Sequence, residues 1–429
     1  MKKIWQLIII VPIIVGIVIG IGIAVSNQMK FNKENQKLDN IFASLESQPV
    51  EITKFYTYGT SLNLEGKLKG IKKDNYEGAK ILVTNGEQTV EYKPVVTFDD
   101  YGLIFTSSTE INNAIDLESV GIGTYYINLR LKLNNSKDYK YYSMSNISSC
   151  KNIEYFTLTK EEKNNKININ FIEKEYNSKK YKTLSLNVKE SELPEDVYDI
   201  VIDAGHGGTD KGEKYGEYNE ADLMLDYAIS LKEKLEAKGY KVKLTRDETN
   251  TSTYTSTNMY DDDGRISIAC SSKAKFMLSL HLNSQKDSGG IEVYAPCKSN
   301  LELAQKLANT IVSYTNISYS SYDAYKKLDG VYVKNYNQNM IDNTNSVKKE
   351  YENYPLTTDT PYLYTIREVG GIATNAYVDG RNTMYSANKY YKSNQGIECY
   401  QIHFGSVKNN INDILTQKEN FLSAIVSCF

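Results

Sequence analysis

Histidine and tryptophan are scarce in this chain, with three His and one Trp among 429 residues. That scarcity excludes a His-rich metal tract, and each imidazole has to be accounted for singly. Cysteine is sparse too. Cys150, Cys270, Cys297, Cys399 and Cys428 include no CxxC spacing and are odd in number. This excludes a cysteine-type zinc site and a disulfide framework, and most of the five read as small buried hydrophobes. Charge of one sign is also missing. A net charge of −3 gives no electrostatic footprint for nucleic acid. What is abundant is Tyr, with 36 residues. That composition suits β-rich surfaces and equally suits a genomic bias.

The N-terminus holds the chain's long apolar run. Lys2 and Lys3 precede an apolar stretch over 4–25, interrupted by Gln6. Roughly 20 apolar residues span a bilayer as a helix, and Pro12 is tolerated there. Ala24 and Ser26 offer a small-x-small cleavage pattern, but a signal peptide has an apolar core of only about 7–15 residues. The reading is an uncleaved transmembrane helix over 1–28, its basic flank inside. Residues 29–49, polar with Leu38, Ile41, Phe42 and Leu45 interspersed, read as a helical stalk.

Residues 50–190 change to short alternating segments, such as Lys80-Ile81-Leu82-Val83-Thr84 and Ile167-Asn168-Ile169-Asn170-Phe171-Ile172. Turn pairs such as Asn85-Gly86 and Asn134-Asn135 separate them. The pattern predicts an all-β antiparallel sandwich of immunoglobulin-like type, a spacer or binding module. The region contains no His, and its carboxylates are scattered.

After Leu193-Pro194 the pattern becomes strand–helix alternation, predicting an α/β domain over 197–429 with a mostly parallel twisted sheet. The uninterrupted apolar centre of Ile200-Val201-Ile202 suits a strand covered on both faces. Asn219 is placed to cap a helix whose stripe is Met224, Ala228, Leu231 and Leu235, and Gly239 to end it. Further strands are expected over 240–245, 275–280, 291–294 and 396–404, and helices over 301–312 and 419–426. Between them lies a Tyr-rich insertion over 313–395, long enough to form a lid or binding wall.

All three histidines fall in this domain. His206 and His281 stand at the ends of two predicted strands, at the edge where open α/β sheets place their sites. Gly205, Gly207 and Gly208 around His206 permit a tight turn and close approach. Glu220 opens the capped helix at the same edge, where the helix dipole favours a carboxylate in any case. Two imidazoles and one carboxylate form a catalytic zinc set that leaves a coordination position open.

Several ordered segments carry a resemblance. They are Val201-Ile202-Asp203-Ala204-Gly205-His206-Gly207-Gly208, Glu220 four residues before Met224, Leu244-Thr245-Arg246-Asp247, Ser279-Leu280-His281-Leu282-Asn283 and Gly290-Ile291-Glu292-Val293-Tyr294. Together they resemble the catalytic domain of the zinc-dependent N-acetylmuramoyl-L-alanine amidases, the third amidase family of cell-wall hydrolases. The resemblance implies that His206, Glu220 and His281 bind Zn2+. It implies hydrolysis of the amide between muramic acid and L-alanine in peptidoglycan. It also implies a general-base Glu on the last strand, in a Glu-x-Gly-aromatic pattern. Aligning Gly405 and Asn409 with that pattern puts His403 at the base position. The base is then His403, or Glu398 if the strand is shifted, since an offset of five residues points to the opposite face. Glu368, in Glu368-Val369-Gly370-Gly371, ranks third. Glu292 reads as structural. Tyr364, Arg367, Glu368, Tyr377 and Arg381 of the insertion are candidates for contact with glycan or stem peptide. The alternative function is a degenerate amidase that binds wall and zinc as a tether or regulator.

The basic flank before the apolar run generates a topological prediction. Protease added outside intact cells should digest the chain beyond residue 30, and protection of the α/β domain would refute the orientation.

Overall fold

The computed structural model describes residues 36, 39, 41–134, 136–146, 150–247, 261–284, 289–347, 356–374 and 396–429. The apolar run over 4–25, Tyr377 and Arg381 lie outside these residues. No helix among the described residues is long and apolar enough to cross a membrane.

The β-rich half folds as two sheets around one core. The first contains β1 (Val50–Tyr58), β2 (Ser61–Lys69), β5 (Val95–Phe98), β6 (Gly102–Thr106), β7 (Ile115–Asp116) and β10 (Met144–Asn146). The second contains β3 (Tyr76–Thr84), β4 (Thr89–Tyr92), β8 (Gly123–Leu133), β9 (Lys140–Tyr142), β11 (Ile153–Phe156), β12 (Asn164–Tyr176) and β13 (Lys179–Ser191). Alternation does the folding: Ile167 and Ile169 of β12, with Leu184, Leu186 and Val188 of β13, turn inward to meet Leu62 and Leu64 of the other sheet. Asn177 and Ser178, both at positive φ, turn the β12–β13 hairpin. The sandwich is not purely antiparallel, because β1 and β10 run parallel. The predicted stalk differs as well. Ile41, Phe42 and Leu45 pack against Tyr126 and Tyr181 of the sandwich, since an apolar stripe on a short segment gains more by burial than by standing in water.

The α/β half is built on a sheet of seven strands, β14 (Ile200–Ala204), β17 (Val242–Leu244), β18 (Phe276–Asn283), β19 (Ile291–Tyr294), β20 (Lys326–Leu328), β21 (Val331–Tyr332) and β22 (Glu398–Ser406), with β15 (Lys214–Tyr215) and β16 (Tyr218–Asn219) paired separately. The order in the sheet is β17-β14-β18-β22-β19-β21-β20. The first four are mutually parallel and β19 pairs parallel with β21, so the sheet is mostly parallel as expected, though β19 is antiparallel to β22 and β20 to β21. The reason at β19 is chain length: the stretch 284–290 between β18 and β19 is too short for a helical crossover, and the chain must reverse. The helices are α1 (Glu220–Ala237), α2 (Arg265–Ser271), α3 (Glu302–Tyr314), α4 (Gln338–Val347), α5 (Tyr364–Val369), α6 (Ile411–Thr416) and α7 (Lys418–Val426). Ile200, Ile202 and Ala204 face α1, α3 and α7, while Val201 faces α2 and α5. Both faces of β14 are therefore covered, which explains its unbroken apolar run. The Asn219 side chain accepts from the Asp222 N–H and caps α1 as the sequence requires. Cys270, Cys399 and Cys428 are buried among the hydrophobic residues.

The parallel strands give the sheet two unlike edges. Their C-terminal ends are open to a site. Against their N-terminal ends docks the sandwich, through a seam of buried polar contacts. Gly59 N–H donates to Gly396 O at 2.9 Å, and Ile111 N–H to Lys298 O at 2.8 Å. Asp199 anchors the seam at the start of β14. It accepts from Thr159 N–H (3.0 Å), Thr159 Oγ1 (2.7 Å) and Lys241 N–H (2.8 Å). Lys275 Nζ lies 4.0 Å from Asp199 and 5.6 Å from the Tyr155 ring centroid. Removing one partner from a buried charged cluster strands the others. Asp199→Ala should accordingly lower unfolding stability by about 3–5 kcal/mol, read as a shift of the urea midpoint; a midpoint equal to wild type would show that the seam holds nothing together.

Candidate metal centre

The site begins with a buried carboxylate. Asp203 sits near the end of β14, fully enclosed, where an isolated charge would be costly. Arg265 of α2 donates to both its oxygens at 2.9 and 3.1 Å, Thr245 Oγ1 donates at 2.7 Å and Ser279 Oγ at 2.6 Å. Burial alone would raise the Asp203 pKa, but Arg265 and the two hydroxyls outweigh it and hold the group below its usual value. The other end of the Arg265 guanidinium donates to the carbonyl of His206 at 2.8 Å. Arg246 donates to the carbonyls of Ala204, Gly205 and Ala221 at 2.7–2.9 Å. Two arginines thus fix the backbone that carries His206.

That backbone is strained where it matters. His206 has φ +58°, in the left-handed region that side chains other than Gly seldom adopt. Beside it, a Cβ on Gly205 would lie 2.5 Å from Cε1 of His281, so only glycine lets β14 pass that ring. A Cβ on Gly212 would lie 2.6 Å from Glu220 Oε2. The turn after β14 is in this way pressed onto the mouth of α1.

The result is a convergent donor set. One ligand atom each from His206, Glu220 and His281 all lie within 4.8 Å of one another. His206 Nε2 is 3.1 Å from Glu220 Oε2, and His281 Nδ1 is 3.1 Å from Glu220 Oε1. Leu282 N–H and Glu213 N–H donate to the same carboxylate at 2.8 and 3.1 Å, orienting it. Asp210 engages the remaining nitrogen of His206 at 2.9 Å, the outer partner that aligns a ligating imidazole. Burial alone would lower the His206 pKa, but the carboxylates of Glu220 and Asp210 raise it to about 9. Burial alone would raise the pKa of Glu220, but the two imidazoles hold it far below the ordinary carboxylate range. Two imidazoles and a carboxylate, with no fourth donor in the cluster among the described residues, match the donor chemistry of a divalent site with an open position.

His403 lies beside this set and not in it. Its ring stacks on His281 with centroids 5.4 Å apart. The Thr365 hydroxyl donates to Gln401 Oε1 at 3.4 Å, which turns the Gln401 amide N–H toward His403 Nε2 at 2.9 Å. Burial and the neighbouring His281 push the His403 pKa down to about 3, so the ring is neutral.

Several sequence expectations are corrected here. Glu398 pairs with Phe276, at the sandwich edge of the sheet, whereas His403 pairs with His281 at the site edge. Glu398 accepts from Asn112 Nδ2 at 2.8 Å and from the Tyr400 hydroxyl, fully committed to the seam. Its odd offset from His403 indeed turns it to the other face, and the strand is not shifted to compensate. Glu368 and Arg367 are buried as an ion pair at 2.8 Å, Arg367 also donating to the carbonyls of Pro361 and Tyr362. They have no surface to offer a glycan, and α5 runs antiparallel to β22 so that its C-terminal end, with Glu368, points to the seam. Tyr364 is half-buried against the α5 core. Asp203, Asp210 and Arg265 were not assigned roles from sequence. A carboxylate inside an apolar strand signals a partner, but the partner lies 62 residues on and sequence does not point to it.

Residues 200–363 match the family profile described as N-acetylmuramoyl-L-alanine amidase. The germination-specific N-acetylmuramoyl-L-alanine amidase of Bacillus subtilis (strain 168) is 33% identical over 104 residues, covering 22% of this chain and 44% of that protein. Uncharacterized protein YqiI of the same organism is 29% identical over 140 residues, covering 32% of this chain and 64% of that one. The chain thus spans about half the length of these curated relatives. Among solved structures, N-acetylmuramoyl-L-alanine amidase AmiC2 of Nostoc punctiforme is 19% identical with a TM-score of 0.32, covering 54% of this chain and 94% of that one. The catalytic domain of CwlV from Bacillus (Paenibacillus) polymyxa var. colistinus is 17% identical with a TM-score of 0.31, covering 54% and 93%.

The ion pairing within the metal-free set generates a pH prediction. The depressed Glu220 contributes stability that is present above its unfolded pKa of about 4.3 and is lost only in strong acid. The raised His206 contributes stability that is fully present below about pH 6.5, and it is lost as pH rises through the folded value near 9. In chelator, the melting temperature should therefore decline between neutrality and pH 9, and His206→Ala should remove that decline. An identical alkaline decline in both proteins would detach His206 from it.

Proposed function

Because residues 200–363 belong to the N-acetylmuramoyl-L-alanine amidase family, we propose that the chain is a zinc-dependent hydrolase of the amide joining N-acetylmuramic acid to L-alanine in peptidoglycan. The observation that carries the reading is the convergence of His206, Glu220 and His281 within 4.8 Å at the C-terminal edge of the sheet. A zinc ion held there would supply a Lewis acid and a water acidified toward neutral pH. The remaining work belongs to the chain. Asp210 fixes the His206 tautomer so that Nε2 faces the set. Leu282 and Glu213 N–H groups keep the Glu220 carboxylate aimed at both imidazoles. His403 adds a neutral wall beside His281 rather than a fourth donor.

The apolar run over 4–25 supports attachment to the membrane, with the hydrolase outside the cell where its polymer is. The sandwich, bonded to the sheet edge remote from the donor set, would act as a fixed spacer between membrane and site. A second reading is a wall-binding tether that does not cleave. The observation in its favour is that a neutral His403, already accepting from Gln401, stands at the last-strand position.

Full-length protein in detergent should carry about one zinc per chain, the occupancy of a single three-ligand site. It should release stem peptides from purified peptidoglycan, and His281→Ala should lose most of both. Zinc equal in wild type and His281→Ala would remove His281 from the site. A zinc-loaded wild type that is silent, together with a His403→Glu variant that cleaves, would select the tether.

A further inference from the structure

The site face of the sheet carries one carboxylate that, among the described residues, no cation neutralises. Glu220 is shared by two imidazoles, Asp203 is bound by Arg265, Asp210 by His206 and Glu368 by Arg367. Glu292 of β19 has neutral partners instead. Tyr294 Oη donates to its Oε2 at 2.9 Å and Asn283 Nδ2 to its Oε1 at 3.1 Å.

Its position is set by register. Glu292 is the cross-strand partner of His403, and residues directly opposite on antiparallel strands share a face at about 4.5–5.5 Å between Cβ atoms. The Tyr294 ring that holds Oε2 lies 5.1 Å from the His403 ring. Asn283 stands two residues past His281 on β18, on the same face. To bond Glu292 it reaches across β22, the strand between them. The carboxylate is thereby held over the strand whose own base position is filled by His403, and tied to the strand that carries His281.

The chemistry of the two neighbours differs. His403 Nε2 already accepts from Gln401, so taking up a proton there would break that bond. Glu292 is an ionisable carboxylate with no opposing charge among the described residues, and burial raises its pKa against the smaller lowering by Ser320 and Tyr294. A general base works best when its pKa approaches the operating pH.

We propose that Glu292 is the group that accepts the proton of the attacking water, the role that the resemblance assigns to a Glu at the last-strand position held here by His403. The inference rests on the hydrolase reading above. Water oxygen bonds to the amide carbon and one of its O–H bonds breaks, the proton passing to a Glu292 oxygen. When the C–N bond breaks, its electron pair stays on nitrogen. That nitrogen takes the proton from Glu292, releasing the amine of L-alanine and the lactyl carboxyl group, with Glu292 again a carboxylate.

The experiment compares wild type, Glu292→Gln, Glu292→Asp and His403→Ala as zinc-loaded full-length proteins on purified peptidoglycan, with zinc content and melting temperature measured on each. Glu292→Gln should keep its zinc and its KM while kcat falls by about 10²–10⁴-fold, the usual share of a general base. If Gln disturbs folding, Glu292→Asp decides: with zinc retained, withdrawal of the carboxylate by one methylene should still cost about tenfold or more in kcat. A Glu292→Gln or folded Glu292→Asp protein as fast as wild type overturns the proposal, and a loss of 10²–10⁴-fold confined to His403→Ala assigns the role to His403. A zinc-loaded wild type that releases nothing overturns the hydrolase reading itself, and the role of Glu292 with it.

Discussion

Everything at the site edge hangs on the buried ion pair between Asp203 and Arg265. One carboxylate gathers β14, the residue after β17, α2 and β18 by accepting from Arg265, Thr245 and Ser279. The same arginine then holds the carbonyl of His206 in a left-handed turn. A residue in that conformation is not kept there by its own preference, which costs of order 1–3 kcal/mol. It is kept there because the surroundings over-determine it: Arg265 and Arg246 grip the carbonyls, and Gly205 and Gly212 permit an approach no side chain would allow. A buried pair of this type is weak evidence for net stability, but it fixes position, and position is what a three-donor metal set needs.

The legibility of the sequence followed from how local each signal was. Asn219, the Met224–Leu235 stripe and Gly239 define α1 through neighbours a few residues away, and the structure has that helix. His206 and His281 were identifiable because strand ends and glycines mark the edge of an α/β sheet. What failed was anything requiring a distant partner. Glu398 and Glu368 looked like spare carboxylates in one dimension. In space each is committed, to Asn112 of the sandwich and to Arg367. The parity rule put Glu398 on the opposite face of β22, but parity alone does not reveal that another domain waits there. The direction of β19 follows from the short 284–290 connection, but the entry of β22 between β18 and β19 depends on a partner more than a hundred residues away from either end of that connection.

The two edges of the central sheet divide its labour. At one edge the backbone is strained, the histidines are partly exposed, and charges face inward toward a common point. At the other, charged and amide side chains are enclosed and paired: Asp199 with Thr159 and Lys241, Glu398 with Asn112, Lys275 near Asp199 and Tyr155. A seam of this composition differs from an ordinary transient domain contact, because separating it would expose or strand each buried group at once. The sandwich therefore has a fixed orientation to the sheet, and the donor set points away from it.

An imidazole at residue 403 suits the charges already present on that face. A second carboxylate standing next to Glu220, with β19 already contributing Glu292, would place like charges at neighbouring positions of one buried face and raise the cost of ionising each. An imidazole kept neutral by burial adds no charge. It also fills the space with a flat ring that stacks on His281 and packs against Tyr294. Its Nε2 takes the Gln401 N–H, so the amide is satisfied without calling on a charged group. Position 403 thus adds no negative charge to β22, while Glu292 on β19 is held by Tyr294 and by Asn283, two residues past His281. The cross-strand register of β19 and β22 makes Glu292 and His403 neighbours, so the carboxylate and the neutral ring are set side by side on that face.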